Sequence, residues 1–114
     1  MNPRSIKRLE DALEACVKIR DFTRNRSIEH FLESDLLRSA VERQWEIIGE
    51  ALGIASREDP SVEDLIPELP RIVALRNRII HGYDSVDPEL VWDLAKTKVP
   101  ALLAQLETAL KDFR

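Results

Sequence analysis

The chain is poor in cysteine, in glycine and in anything that reads as a β-strand. Its one cysteine, Cys16, allows no disulfide within the chain, which excludes a disulfide-stapled secreted scaffold and suits a reducing compartment. Cys16 falls on the apolar stripe of the first expected helix, so it reads as a small core residue. With 3 glycines, 44% hydrophobic and 33% charged residues, the composition is that of a helical globular protein and excludes a disordered one. No apolar run approaches the roughly 20 residues that a bilayer span needs. Met1-Asn2-Pro3-Arg4-Ser5 lacks an apolar signal core. The expected location is therefore the cytoplasm, with no membrane partner. Positive charge is in deficit too: the formal net charge is -4. A generic nucleic-acid coat is basic, so any RNA contact here must be local.

What is present is helical periodicity. At 114 residues the chain is expected to be one domain, 1–114, with a core small enough that a second subunit can complete its apolar surface. A first helix is expected after Ser5, its N-cap, to about Asn25, with Ile6, Leu9, Leu13, Cys16 and Val17 on one face. Ser27 to Glu33 reads as a short helical turn. A second helix runs from Ser34-Asp35 to about Ser56. Leu37, Val41, Trp45, Ile48 and Leu52 line one of its faces, and Ala40, Ile47, Ala51 and Ile54 broaden that stripe, so it is expected to be central. Gly49 and Gly53 share a face of this helix. Each costs about 1 kcal/mol there, which points either to close approach of another backbone or to simple tolerance.

Residues 57–67 form the main connector, with room for one turn from Val62 to Ile66. A third helix is expected from about Glu68 to His81, turning Ile72, Leu75 and Ile79 to the core and stopping at Gly82 in a left-handed cap. Asp87-Pro88-Glu89 is a strong start for a fourth helix. Pro100 should kink or break that helix by clashing with the Lys96 carbonyl. The expected architecture is all-α, an antiparallel helical bundle of about four main helices.

The chemistry gathers in Arg76-Asn77-Arg78-Ile79-Ile80-His81-Gly82-Tyr83, in a chain with two histidines. Asn77 and His81 are four apart and stack on one helical face, and Arg78 is three before His81. Arg76 is five before His81, roughly 140° around the helix, so its long side chain must swing to reach the imidazole or serve a site made by two subunits. An arginine beside a histidine is what RNA cleavage by internal transesterification requires. A base activates the ribose 2′-hydroxyl, the guanidinium stabilises charge growing on the phosphate, and an acid protonates the departing 5′-oxygen. That chemistry calls for no metal and no cofactor. Arg71, Arg76 and Arg78 form a basic cluster in an acidic chain, readable as a solvated face or as contacts to RNA phosphates. A basic last turn is also ordinary helix chemistry, and the Arg-x4-His spacing alone distinguishes little.

The octet resembles the Arg-Asn-x3-His-x-Tyr signature of the HepT-like toxins, a branch of the HEPN domain superfamily. Trp45-Glu46-Ile47-Ile48-Gly49-Glu50-Ala51 is similar to the family's second-helix segment. Val86-Asp87-Pro88-Glu89-Leu90-Val91-Trp92 is similar to the segment that follows its tyrosine. The resemblance implies a helical homodimer with the Arg and His of both subunits near one cleft. It implies a ribonuclease that harms its host cell, restrained by a cognate minimal nucleotidyltransferase antitoxin (MntA-like) that transfers AMP to the motif tyrosine. On this chain the cleavage roles fall on Arg76 and His81, support on Asn77, and modification on Tyr83. One departure stands out: where the family often has Ile-Pro-Trp entering the motif helix, this chain has Ile66-Pro67-Glu68-Leu69-Pro70.

Other residues have plainer readings. His30 reads as a surface or loop histidine. Trp45 and Trp92 can stack on bases, but both lie on or beside apolar stripes and so read as core or dimer interface. Glu50 reads as a solvated helix residue or a support for the motif. A second class of function also fits: a HEPN-like dimer whose motif binds a nucleotide or a partner and cuts nothing. A purely structural subunit is a third.

Overall fold

The computed structural model describes residues 1–82 and 86–113. Among these residues there are seven helices and no strand: α1 (Pro3–Thr23), α2 (Ile28–Glu33), α3 (Asp35–Glu58), α4 (Val62–Leu65), α5 (Leu69–His81), α6 (Pro88–Thr97) and α7 (Val99–Lys111). The long axis of 42 Å is set by α3, whose 24 residues rise roughly 36 Å at 1.5 Å each.

Polar residues at the boundaries fix where α1, α2, α3 and α6 begin. Asn2, not Ser5, caps α1: its side chain accepts from the Ser5 amide at 2.8 Å, and Pro3 takes the first helical position. Ser5 is instead buried one turn in, and its hydroxyl donates to Glu58 at 3.3 Å, tying the start of α1 to the end of α3. Ser27 caps α2 and Ser34 caps α3. Ser34 also closes α2, its amide donating to the His30 carbonyl at 3.0 Å, so the two helices meet with no loop between them. Asp87 accepts from the Glu89 amide at 2.9 Å and starts α6 just ahead of Pro88.

Two helix ends depart from expectation. Gly82 does end α5, but with φ -92°, not in the left-handed region. The left-handed residue among those described is Asn25, at φ 60°, just past the α1 terminus, where asparagine substitutes for glycine. The interruption near Pro100 falls at Lys98 and makes two helices of the expected fourth. Pro100 has no N–H to give to the Lys96 carbonyl, so the chain restarts with proline in the first turn of α7.

The apolar stripes meet in one core. Leu9, Cys16 and Ile19 of α1 lie against Val41, Trp45, Ile48 and Leu52 of α3, all essentially inaccessible. Val91 of α6 and Leu102, Leu106 and Leu110 of α7 close the other side of α1. α3 is the central helix, with α1 along one flank and α5 along the other. α5 packs chiefly on α3, through Leu69, Ile72 and Leu75. A 13-residue helix is marginal alone. Burial of Ile72 and Leu75, worth about 1.5–3 kcal/mol each, therefore holds it in place. Of the two glycines on α3, Gly49 is where α5 comes close: a Cβ there would lie 3.2 Å from the Ile72 carbonyl oxygen. Gly53 has ordinary room.

Lys96 ties the α6 end of the bundle to α1. Its ammonium donates to the Thr23 carbonyl at 3.0 Å and lies 4.9 Å from the Trp92 ring centroid. Among the described residues, no helix is long and apolar enough to cross a membrane.

Candidate active site

The site is built on the last two turns of α5. Its geometry follows from where Arg76 falls on that helix. Arg76 is four residues past Ile72 and one past Leu75, so its Cα lies on the stripe that faces α3. The residue is half-buried, and its Nε is inaccessible and has no hydrogen-bond partner among the described residues. The head of the side chain emerges: Nη1 donates to the Asn77 side-chain oxygen at 3.1 Å. Asn77 is exposed and lies one helical turn before His81 on the same face. The guanidinium is thus bent from the α3-facing stripe toward the side of the helix that carries the imidazole. His81, the final residue of α5, is exposed. The Gly82 amide donates to the Arg78 carbonyl at 2.8 Å and completes the last turn beneath it.

The arrangement therefore joins a partly desolvated, anchored guanidinium, a carboxamide bonded to it, and a solvent-facing imidazole at one helix end. A guanidinium of this kind presents fixed donors to phosphate oxygens. The imidazole is open to solvent.

The other expected site residues are placed differently. Arg78 is exposed in the last turn. Arg71 lies at the opposite end of α5, roughly 15 Å of helix rise from His81. It faces Glu68 at 3.7 Å, and Glu68 in turn faces Lys98 at 3.9 Å. Arg71 is thus not gathered with Arg76 and His81. Tyr83 lies outside the described residues. Trp45 is 1% exposed and belongs to the core. Trp92 is half-buried, with its ring centroid 5.2 Å from that of Phe31. His30 is exposed on α2. Glu50 is exposed and turned toward α1, lining a cleft with Arg8, Asp11 and Lys18. Cys16 is fully buried, and burial pushes its thiol up to about 12. Among the described residues, no group of three or more His, Cys, Asp or Glu side chains is arranged to hold a metal ion.

The residue types of the octet alone do not show that Arg76 is rooted in the α3–α5 interface. The signal was available in the spacing from Ile72 and Ile79, which puts Arg76 on their stripe.

Comparison with known proteins bears on this site. The family model described as ribonuclease HepT-like matches residues 12–109. A candidate RNase of Methanocaldococcus jannaschii is 33% identical over 116 residues, covering 99% of this chain and 93% of the relative. A second candidate RNase of that organism is 34% identical over 110 residues, covering 92% and 86%. A candidate ribonuclease HepT of Thermococcus cleftensis is 37% identical over 102 residues, covering 87% and 89%. No solved structure matches significantly. The chain belongs to the HepT-like family of the HEPN superfamily.

Proposed function

We propose that this chain is a metal-independent endoribonuclease and the toxic member of a toxin–antitoxin pair. The observation that carries the reading is the Arg76–Asn77 hydrogen bond, which turns an anchored guanidinium toward the helical face of His81. Family membership and relatives named as RNases support it.

In this reading the scissile phosphate lies against Arg76. The ribose O2′ loses its proton to a base and bonds to phosphorus. Negative charge grows on the non-bridging oxygens, where Arg76 opposes it. The P–O5′ bond breaks as an acid gives O5′ a proton, leaving a 2′,3′-cyclic phosphate and a 5′-hydroxyl. His81 carries a proton in this exchange, and Asn77 holds Arg76 in line. Arg78 and, farther along the strand, Arg71 attract the RNA backbone.

The single-domain chain acts as a homodimer. Two-fold symmetry then sets two motifs across one cleft, and a second His81 supplies the partner acid or base. The chief support is that α5 packs chiefly on α3, leaving the exposed Ile80 beside the motif. A cognate nucleotidyltransferase antitoxin silences the site by AMP transfer to Tyr83.

The test is direct. Labelled single-stranded RNA incubated with the protein in EDTA should yield 2′,3′-cyclic phosphate ends, and light scattering should give twice the 13.1 kDa chain mass. Intact RNA from unmodified protein would favour a non-catalytic nucleotide- or partner-binding dimer. A monomer at micromolar concentration would remove the composite cleft.

A further inference from the structure

We propose that Gly49 is a positioning residue for Arg76: the missing side chain on α3 is the slot through which the arginine leaves the helix interface. The inference rests on the ribonuclease reading of Arg76 and extends it to a residue on a different helix.

Gly49 is buried in the middle of α3, where glycine is unfavourable relative to alanine. A Cβ built there would lie 2.3 Å from the Arg76 Cβ and 2.9 Å from its Cγ. These are the root atoms of the arginine. The Cβ moves only if the α5 backbone moves, so no rotamer of Arg76 relieves the closer overlap. Reaching ordinary carbon–carbon contact of about 3.5 Å would push α5 outward by about 1 Å. The Ile72 carbonyl oxygen, 3.2 Å from the same point, blocks retreat along the helix.

The arginine head bears out the constraint from its other end. Nε is buried without a hydrogen-bond partner among the described residues, while Nη1 bonds Asn77. The root and Nε lie in the interface, and only the terminal nitrogens are left to meet a phosphate. The direction in which they emerge is therefore set by the α3 backbone at Gly49.

Gly53, one turn on, provides the internal control. A Cβ there meets Arg57 Nη1 and Val73 Cγ2 at 3.7 Å each, which is ordinary contact. The two glycines share a face, yet only one is required by space.

The experiment uses the full chain and a fluorescently labelled single-stranded RNA. Gly49→Ala is expected to lower kcat by about 100-fold, as a misplacement of about 1 Å can, with KM changed less than about 3-fold and unaltered far-UV circular dichroism. Loss in kcat alone marks an interaction made in the transition state and not a general loosening. Gly53→Ala should keep both constants and raise Tm. Parental kcat in Gly49→Ala, alongside an inactive Arg76→Ala, overturns the positioning role. An active Arg76→Ala overturns the ribonuclease reading instead.

A Tm cycle decides the contact independently of activity, and still does so if Gly49→Ala folds poorly. Gly49→Ala should lower Tm in the parent and much less in the Arg76→Gly background, where both root atoms are gone. Equal losses in the two backgrounds would mean that Gly49 does not make room for Arg76.

Discussion

Arg76 donates through Nη1 to the side-chain oxygen of its immediate neighbour Asn77 at 3.1 Å, across a helix surface on which consecutive residues diverge by about 100°. The bond spans that divergence and carries positive charge from the buried side of α5 to the side of His81. Asn77 thus has a role that its exposure alone would not suggest. Asn77→Ala is expected to cut kcat/KM by about tenfold, the lower range for a hydrogen bond to a charged group in partial contact with water. The helix content should not change, because Asn77 is exposed. Parental kcat/KM would show that Arg76 holds its direction unaided.

Arg76 and His81 should be individually indispensable. Arg76→Ala and His81→Ala are each expected to lower RNA cleavage by about 10²-fold or more, within the range for general acid–base work and for electrostatic stabilisation. Both should lose growth inhibition on expression in a host. Arg76→Lys should recover little, since an ammonium cannot present the planar donor fork. His81 is exposed at a helix end, so its removal leaves the fold intact. Full toxicity in both alanine variants would sink the catalytic assignment.

Much of this molecule is legible along the chain, and the reason is period. Leu9 and Cys16 on α1 lie seven residues, two helical turns, apart, Val41, Trp45, Ile48 and Leu52 on α3 recur every three or four residues, and all are buried. Serine and aspartate caps mark three of the helix starts because a short side-chain oxygen reaches an orphan amide. The departures from expectation are local. Asn2 and Ser5 are both able to cap, and Pro3 decides for Asn2 by taking the first helical position. Gly82 can adopt a left-handed cap but is not made to. The octet was legible as a set of residue types, and its geometry was not. A helical wheel places the Arg76 Cα but not its terminal nitrogens, which depend on a gap in another helix at Gly49.

Cys16 should be chemically silent in the folded protein. It is 0% exposed, and desolvation raises its pKa to about 12 from an ordinary 9.0, which disfavours the reactive thiolate. A thiol reagent at pH 8 should leave native protein unlabelled and label it fully in denaturant. The sign for stability follows from proton linkage. The folded state holds the proton more tightly, so the contribution is intact below pH 9 and is lost as pH rises from 9 toward 12, by up to about 1.4 kcal/mol per pH unit. Cys16→Ala should flatten that alkaline decline. Rapid native labelling would show that the α1–α3 core opens readily.

Control should act through Tyr83. It follows Gly82, where α5 has ended, and is two residues past His81 in sequence. Transfer of AMP from ATP would join the phenol oxygen to the α-phosphorus and release pyrophosphate. The product is a phosphodiester that adds one negative charge and a nucleoside next to the motif. Its phosphate matches the chemistry that Arg76 offers the scissile phosphate, so a charge-assisted contact there would compete with RNA. Inhibition should then be local and leave the helical content unchanged. Co-expression with the cognate nucleotidyltransferase should add the mass of one or more AMP groups to the parent chain and abolish RNA cleavage. Tyr83→Phe should cleave RNA like the parent, gain no mass and stay toxic beside the antitoxin. High salt should weaken the inhibition less than it weakens RNA binding, because the modifying phosphate is tethered and does not have to be recruited from solution. A Tyr83→Phe chain that is modified and neutralised as fully as the parent would place the acceptor on another residue.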